Sequence, residues 1–335
     1  EPSDHQADAP QKRAFSVGYA LLCVVYGIIA VTADVFCDAG AAWGNLLLVL
    51  AVITMLIGAV LALFSTDLKR TLACSSMSQI GFILTGIAAS ILCRASGEAE
   101  GASLALSGAV LHMVNHSLLK LALFLSAGAV AMNLHALELR DIQGWGRTKH
   151  VLKLVFLTAA LGISGVPGFC GYLSKTLLHE GLVEAIHAAG VPGWTEWVFL
   201  LSGGLTLGYM CKLFFCVFVE KNADPARQAA FDRSGRYLTP LSAAVLIGSA
   251  ALLLPWGIPG AALSLAARMT GGALAHFEAF SLESLSGALI SLGIGTAVYL
   301  GFVRPLLRQK DLWPRRLDLE DAVYRPLLLR VLPAV

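Results

Sequence analysis

Apolar runs of about twenty residues, each long enough to cross a bilayer as a helix, recur eight times along this chain. They lie near 15–36, 43–66, 72–93, 103–131, 151–182, 196–219, 238–258 and 283–307. In lipid such runs satisfy their backbone polar groups only as helices or closed barrels, and their length selects helices. The prediction is an all-α polytopic membrane protein of about eight transmembrane helices. A mean hydropathy of +0.73, with 57% hydrophobic and 14% charged residues, excludes an ordinary soluble domain. A net charge of +2, without basic runs interleaved with aromatics, gives nucleic acid little to bind. The mixed stretch 259–281, with Arg268, His276 and Glu278, is expected in a loop or along the interface.

Loop charge orients these runs. If the N-terminus is cytoplasmic, 19 of the 24 Lys and Arg residues fall on the cytoplasmic side, and only Arg94 and Arg268 on the other. That bias follows the positive-inside rule and predicts an even number of crossings with both termini cytoplasmic. The remaining three are Lys120, Lys175 and Lys212, all inside apolar runs. Residues 1–14 form a polar N-terminal segment. In the tail, 308–335, Trp313 precedes alternating charge and leucine, which reads as an amphipathic segment at the headgroups or as a solvated tail. The chain starts at Glu1 with no Met and no signal-peptide pattern, and reads as a fragment or a chain with an unusual start. Its seven cysteines include no C-x-x-C pair and read as small buried hydrophobes, with metal ligation or disulfides as the alternatives.

An ionisable residue at membrane depth costs about 2.5–3.5 kcal/mol on insertion scales and marks an ion or proton path by default. His112, His116 and Lys120 recur every four residues, so they drift only about 40° per step and share one helix face. Histidine titrates near neutrality and a desolvated lysine can be pulled down toward it, so both can load and release protons. Asn115 and Ser117 flank the stripe and could hold water. The plainer reading is that the three merely bond to neighbouring helices. Further on, Gly165, Pro167, Gly168 and Gly171 predict a broken helix, because proline removes a backbone donor and glycine permits unwinding. Lys175 follows the break by about one turn, with Ser174 beside it and His179 one turn on. Its rival reading is a packing kink at Pro167 with Lys175 snorkelling outward. Lys212 either extends the path or snorkels toward Glu220 and Lys221.

Three long segments resemble one family in order. Asp67-Leu68-Lys69-Arg70-Thr71-Leu72-Ala73-Cys74-Ser75-Ser76-Met77-Ser78-Gln79-Ile80-Gly81-Phe82 is similar to its signature before a central helix, and Asp67, Lys69 and Arg70 form the interface part of it. His112-Met113-Val114-Asn115-His116-Ser117-Leu118-Leu119-Lys120 and Gly165-Val166-Pro167-Gly168-Phe169-Cys170-Gly171-Tyr172-Leu173-Ser174-Lys175 resemble two more of its motifs. The family is the antiporter-like, proton-conducting membrane subunits of respiratory complex I, energy-converting hydrogenases including formate hydrogenlyase, and Mrp sodium/proton antiporters.

The resemblance implies two inverted five-helix repeats, each with a broken helix. This chain would hold the last helix of the first repeat (15–36), the second repeat (43–219) and C-terminal helices (220–307). Lys175, Lys120, His116 and His112 would fall on the proton path of the second half-channel, with Lys212 and His179 as candidate extensions. The first repeat's lysine and partner glutamate are absent, and 15–36 lacks the Lys or His that usually links the halves. The expected function is proton translocation within a redox-driven complex of a prokaryotic inner membrane. No cofactor is expected in this chain; flavin, iron–sulfur or nickel–iron centres would sit in a soluble redox arm, beside other membrane subunits. The alternatives are a Na⁺/H⁺ antiporter subunit or a non-conducting structural subunit.

Overall fold

The computed structural model describes residues 40–235, 237–253, 257–270 and 277–305. The helix expected at 15–36, the polar segment 1–14 and the tail 308–335 lie outside the described residues. The chain is an all-α membrane protein, and among the described residues five helices are long and apolar enough to cross a membrane.

In the order of the chain the helices are α1 (Gly40–Phe64), α2 (Leu68–Ala95), α3 (Ala99–Leu134), a single turn α4 (Leu139–Ile142) and α5 (His150–Ser164). They continue as α6 (Cys170–Ala189), α7 (Trp194–Phe218), α8 (Pro225–Arg233), α9 (Pro240–Ala251), α10 (Pro259–Thr270) and α11 (Leu282–Val298). Helix α1 shows why lipid is its solvent. Leu47, Ala51, Met55, Ala59 and Ala62 are buried while Leu46, Val49, Leu50, Ile53 and Ile57 are exposed, so both faces are apolar. Helix α2 crosses it closely: a Cβ on Gly81 would lie 2.4 Å from the Met55 nitrogen. Small residues at such crossings let backbones approach where hydrophobic burial alone gives no drive.

One end of the bundle collects basic loops. There Asp67 caps α2 by accepting from the Arg70 N–H at 2.8 Å, and Arg70 reaches back to Ser65 Oγ at 3.0 Å. A two-residue bridge, Leu68 N to Leu137 O and Leu139 N to Thr66 O, both 2.9 Å, ties the α1–α2 link to the α3–α4 link. Lys69 is exposed. The interface signature is thus a cap and a clamp at this basic end. Lys149 also belongs here, buried and donating to Ser234 O at 2.6 Å.

Two expectations need correction. The run 238–258 does not form one crossing: α9 has 12 residues, about 18 Å, against about 30 Å of hydrocarbon. The second half of that traverse is α10, from the stretch expected to be a loop or interfacial. Ala262 and Ala266 are fully buried in one cluster with Leu111 and Leu173, and Ser107 Oγ lies 3.0 Å from Thr270 Oγ1. A hydropathy window averaged in Arg268 and missed the inward alanines. The interruption reaches the α5–α6 junction: a Cβ on Gly257 would lie 3.1 Å from Gly168 O. Two interrupted helices therefore sit side by side. Helix α11 then returns to the basic end, where Phe302 meets Phe64 with ring centroids 5.8 Å apart.

Candidate functional site

The expected span 151–182 is two half-helices separated by Gly165–Phe169. Gly165 closes α5 at φ 77°, with Gly165 N bonded to Gly162 O (3.0 Å) and Val166 N to Leu161 O (3.2 Å). This pattern is a Schellman cap, which only a residue tolerating the left-handed region makes cheaply. Gly168 turns the chain again at φ 89°. The packing-kink alternative does not hold, since the helix stops and restarts. The negative end of α5 and the positive end of α6 face the same gap.

Gly171 makes the junction possible. A Cβ there would lie 2.0 Å from Gly162 O, a backbone atom with no room to yield. Gly171→Ala is expected to destabilise the bundle by about 3 kcal/mol, the upper range for overpacking. Gly128→Ala meets nothing within 4 Å and is the control. Thermal unfolding of both in detergent checks this: equal melting temperatures would refute the packing argument.

Lys175 lies over this junction. Helix α6 continues to Ala189, so Lys175 is far from its C-terminal end, and the side chain is only 8% exposed; the snorkelling alternative fails. Its Cδ lies 3.0 Å from where a Gly165 Cβ would be, which sets the amine beside the negative end of α5. Nζ sits 4.8 Å from the Phe82 ring centroid and has no hydrogen-bond partner among the described residues. Ser78 Oγ on α2, Asn115 Oδ1 and His116 Nε2 on α3 and Ser202 Oγ on α7 share that condition. Buried polar atoms are rarely left so, and water is their usual partner.

The stripe on α3 is buried as its spacing predicts. His112 bridges α2 and α6, with Nε2 3.0 Å from Gln79 Oε1 and Nδ1 2.9 Å from Ser174 Oγ. Gln79 presents its oxygen because its amide donates to Thr206 Oγ1 at 3.4 Å, while Thr206 itself donates to Ser202 O at 2.9 Å. An amide oxygen only accepts, so Nε2 of His112 carries a proton. In the neutral ring Ser174 donates to Nδ1. When Nδ1 gains a proton the bond reverses, and the Ser174 hydroxyl turns to Gly171 O, 3.2 Å away. Ser174 can therefore follow the charge of His112 without losing its bonds.

Lys120 donates to Leu72 O at 2.8 Å and, through a short bond, to Ser75 Oγ. Asn115 donates its amide to Cys170 O at 2.8 Å and to Ser174 Oγ at 3.3 Å, fastening α3 to the start of α6. Ser117 does not join the stripe, because its hydroxyl bonds to Met113 O on its own helix. Lys212 is fully buried and does not snorkel. Its Nζ donates to Ala62 O (3.0 Å), Leu63 O (2.6 Å) and Ser65 O (2.7 Å), closing the C-terminus of α1. His179 pairs with Glu196 at 3.0 Å. Ser75 and Gln79 lie in the family-like segment Asp67–Phe82 but had no role assigned from the sequence, and nothing in the sequence pointed to Thr206.

Residues 11–199 match the profile of the family described as NADH:quinone oxidoreductase/Mrp antiporter, TM. The chain is similar to hydrogenase-4 component B of Escherichia coli (strain K12), 28% identical over 225 residues, which is 65% of this chain and 33% of that protein. It is 30% identical over 213 residues to NAD(P)H-quinone oxidoreductase chain 4 1 of Synechococcus elongatus, 63% of this chain and 37% of that protein. The chain thus spans about a third of the length of these relatives. Among solved structures, the Mrp complex from Dietzia sp. DQ12-45-1b matches with a TM-score of 0.60 and 21% identity, over 87% of this chain and 31% of that one.

Proposed function

Because this chain belongs to the NADH:quinone oxidoreductase/Mrp antiporter transmembrane family, we propose that it conducts protons as a membrane subunit of a redox-driven complex. The complex would be a complex I-like NADH:quinone oxidoreductase or a membrane-bound hydrogenase. The observation that carries this reading is Lys175: a buried amine without a hydrogen-bond partner, set on a helix break among other unpartnered polar atoms. Held by no acceptor, it is the group free to take up and release a proton as water or an adjoining residue approaches.

In this mechanism Lys175 exchanges its proton across the break. His112, His116 and Lys120 relay it along α3 toward the basic end, and the reversible Ser174 bond lets His112 change charge in place. His179 serves the other side of Lys175. Electrons stay outside this chain, in partner subunits carrying flavin, iron–sulfur or nickel–iron centres, and coupling comes through neighbouring membrane subunits. The basic end faces the cytoplasm of a prokaryote, as the loop-charge bias of the sequence favours.

The test is to purify the native membrane complex that holds this chain and assay it for redox centres and for proton movement into sealed vesicles. Co-purifying centres with substrate-driven proton uptake are expected, and nickel would select the hydrogenase type. A complex of membrane proteins without any redox centre, exchanging Na⁺ for H⁺, would overturn the redox-driven reading.

A further inference from the structure

Lys175 also borders a cavity of about 30 Å³. That exceeds the roughly 10–15 Å³ one water needs. Ser164, Thr176, His179, Ser284 and Ser291 supply its polar lining, and Phe82, Phe199 and Leu200 part of the apolar wall. His179 lies one turn beyond Lys175 on α6, about 5–6 Å away between Cβ atoms. The imidazole has room because position 287 is glycine: a Cβ there would lie 3.0 Å from His179 Nδ1. The ring thus turns its Nδ1 edge to α11, beside the cavity, and its Nε2 to Glu196, 3.0 Å away. His179 is 15% exposed and Glu196 34%, so burial relaxes stepwise from Lys175 outward. Glu196 stands between Trp194 and Trp197, which are 56% and 63% exposed in the first turn of α7. Exposed tryptophans at a helix end mark the headgroup boundary. Beside the pair, Glu180 is held by the Ser284 hydroxyl.

We infer that the cavity, His179 and Glu196 form the branch by which Lys175 exchanges protons with the surface opposite the basic end, with Glu196 at its mouth. This rests on the proton-conducting reading and adds its direction and its outer residues. A proton leaving Lys175 Nζ passes through cavity water to His179 Nδ1. The imidazolium so formed releases its Nε2 proton to the Glu196 carboxylate, which gives it to bulk water; uptake runs the same steps in reverse. One proton enters and one leaves, and no group changes oxidation state.

The experiment uses the intact complex in sealed vesicles, with substrate-driven proton uptake and redox rate measured together. His179→Gln and Glu196→Gln are expected to slow proton uptake about tenfold or more, below what a positioned proton-transfer group usually contributes because water substitutes in part. Glu196→Asp should keep most of the rate, which a merely structural ion pair would not require. Uptake within twofold of parental in both glutamine variants, while Lys175→Ala abolishes it, would overturn the branch and leave the proposed function standing. Normal uptake in Lys175→Ala would instead sink the proposed function. Should a variant fail to assemble, Zn²⁺ on the unmodified complex decides. Imidazole and carboxylate bind it, so inhibition from the α6–α7 loop side alone supports the branch, and indifference to side overturns it.

Discussion

Lys175→Ala in the intact complex is expected to abolish coupled proton translocation while the complex still assembles. The physical basis is that Lys175 does little for stability. Among the described residues its amine is buried without a hydrogen-bond partner, and its favourable neighbours are the Phe82 ring at 4.8 Å and the negative end of α5. A cation over an aromatic face is worth about 0.5–2 kcal/mol. Removing an ion from water costs several kcal/mol even after relaxation. The cost exceeds the return, so folding alone does not account for a lysine at this position. Lys175→Met, which keeps most of the volume, should melt at the same temperature or higher and conduct no better than Lys175→Ala. Lys175→Arg separates charge from exchange, because a guanidinium stays protonated at any working pH. It should assemble and fail to pump. A Lys175→Arg complex that pumps at the parental rate would show that the position supplies a fixed charge and no proton.

The parts of this site that the sequence disclosed share one property: their signal is local. The interval of four between His112, His116 and Lys120 fixes one helix face whatever packs against it. The glycines and proline around Gly165 disclose a break because backbone geometry is set residue by residue. What stayed hidden depends on distant chain. The acceptors of Lys212 are backbone carbonyls at Ala62, Leu63 and Ser65, about 150 residues earlier, and a carbonyl has no residue type to recognise. The inward face of α10 rests on Ala262 and Ala266, too small to raise a hydropathy window that also contains Arg268. Glu196 reads as an ordinary surface carboxylate until the fold brings His179 to it. Among the described residues helix existence was legible almost throughout, and pairing between helices was not.

Lys212 and Lys175 are the same residue type at opposite extremes, and a pair of substitutions at Lys212 brings this out. Lys212 donates to three carbonyls at the end of α1, where the last C=O groups of a helix have no partner of their own. A cation there also meets the negative end of the helix dipole. Lys212→Met removes all three donors and leaves buried acceptors, each costing about 1–3 kcal/mol when unsatisfied. The expected result is a loss of about 3 kcal/mol or more, read as a large fall in melting temperature and in assembled complex. Lys212→Arg supplies donors for the same carbonyls but cannot release a proton. If Lys212 is a cap, the arginine variant recovers most of the stability that methionine loses, less some strain from its larger head, and pumps at the parental rate. If Lys212 instead relays protons, the arginine variant folds and stops pumping. Three acceptors within 3.0 Å hold the amine in place, which favours the cap. Lys120, with two acceptors, lies between these extremes, and Lys175, with none among the described residues, is the lysine on which the proposed proton exchange rests.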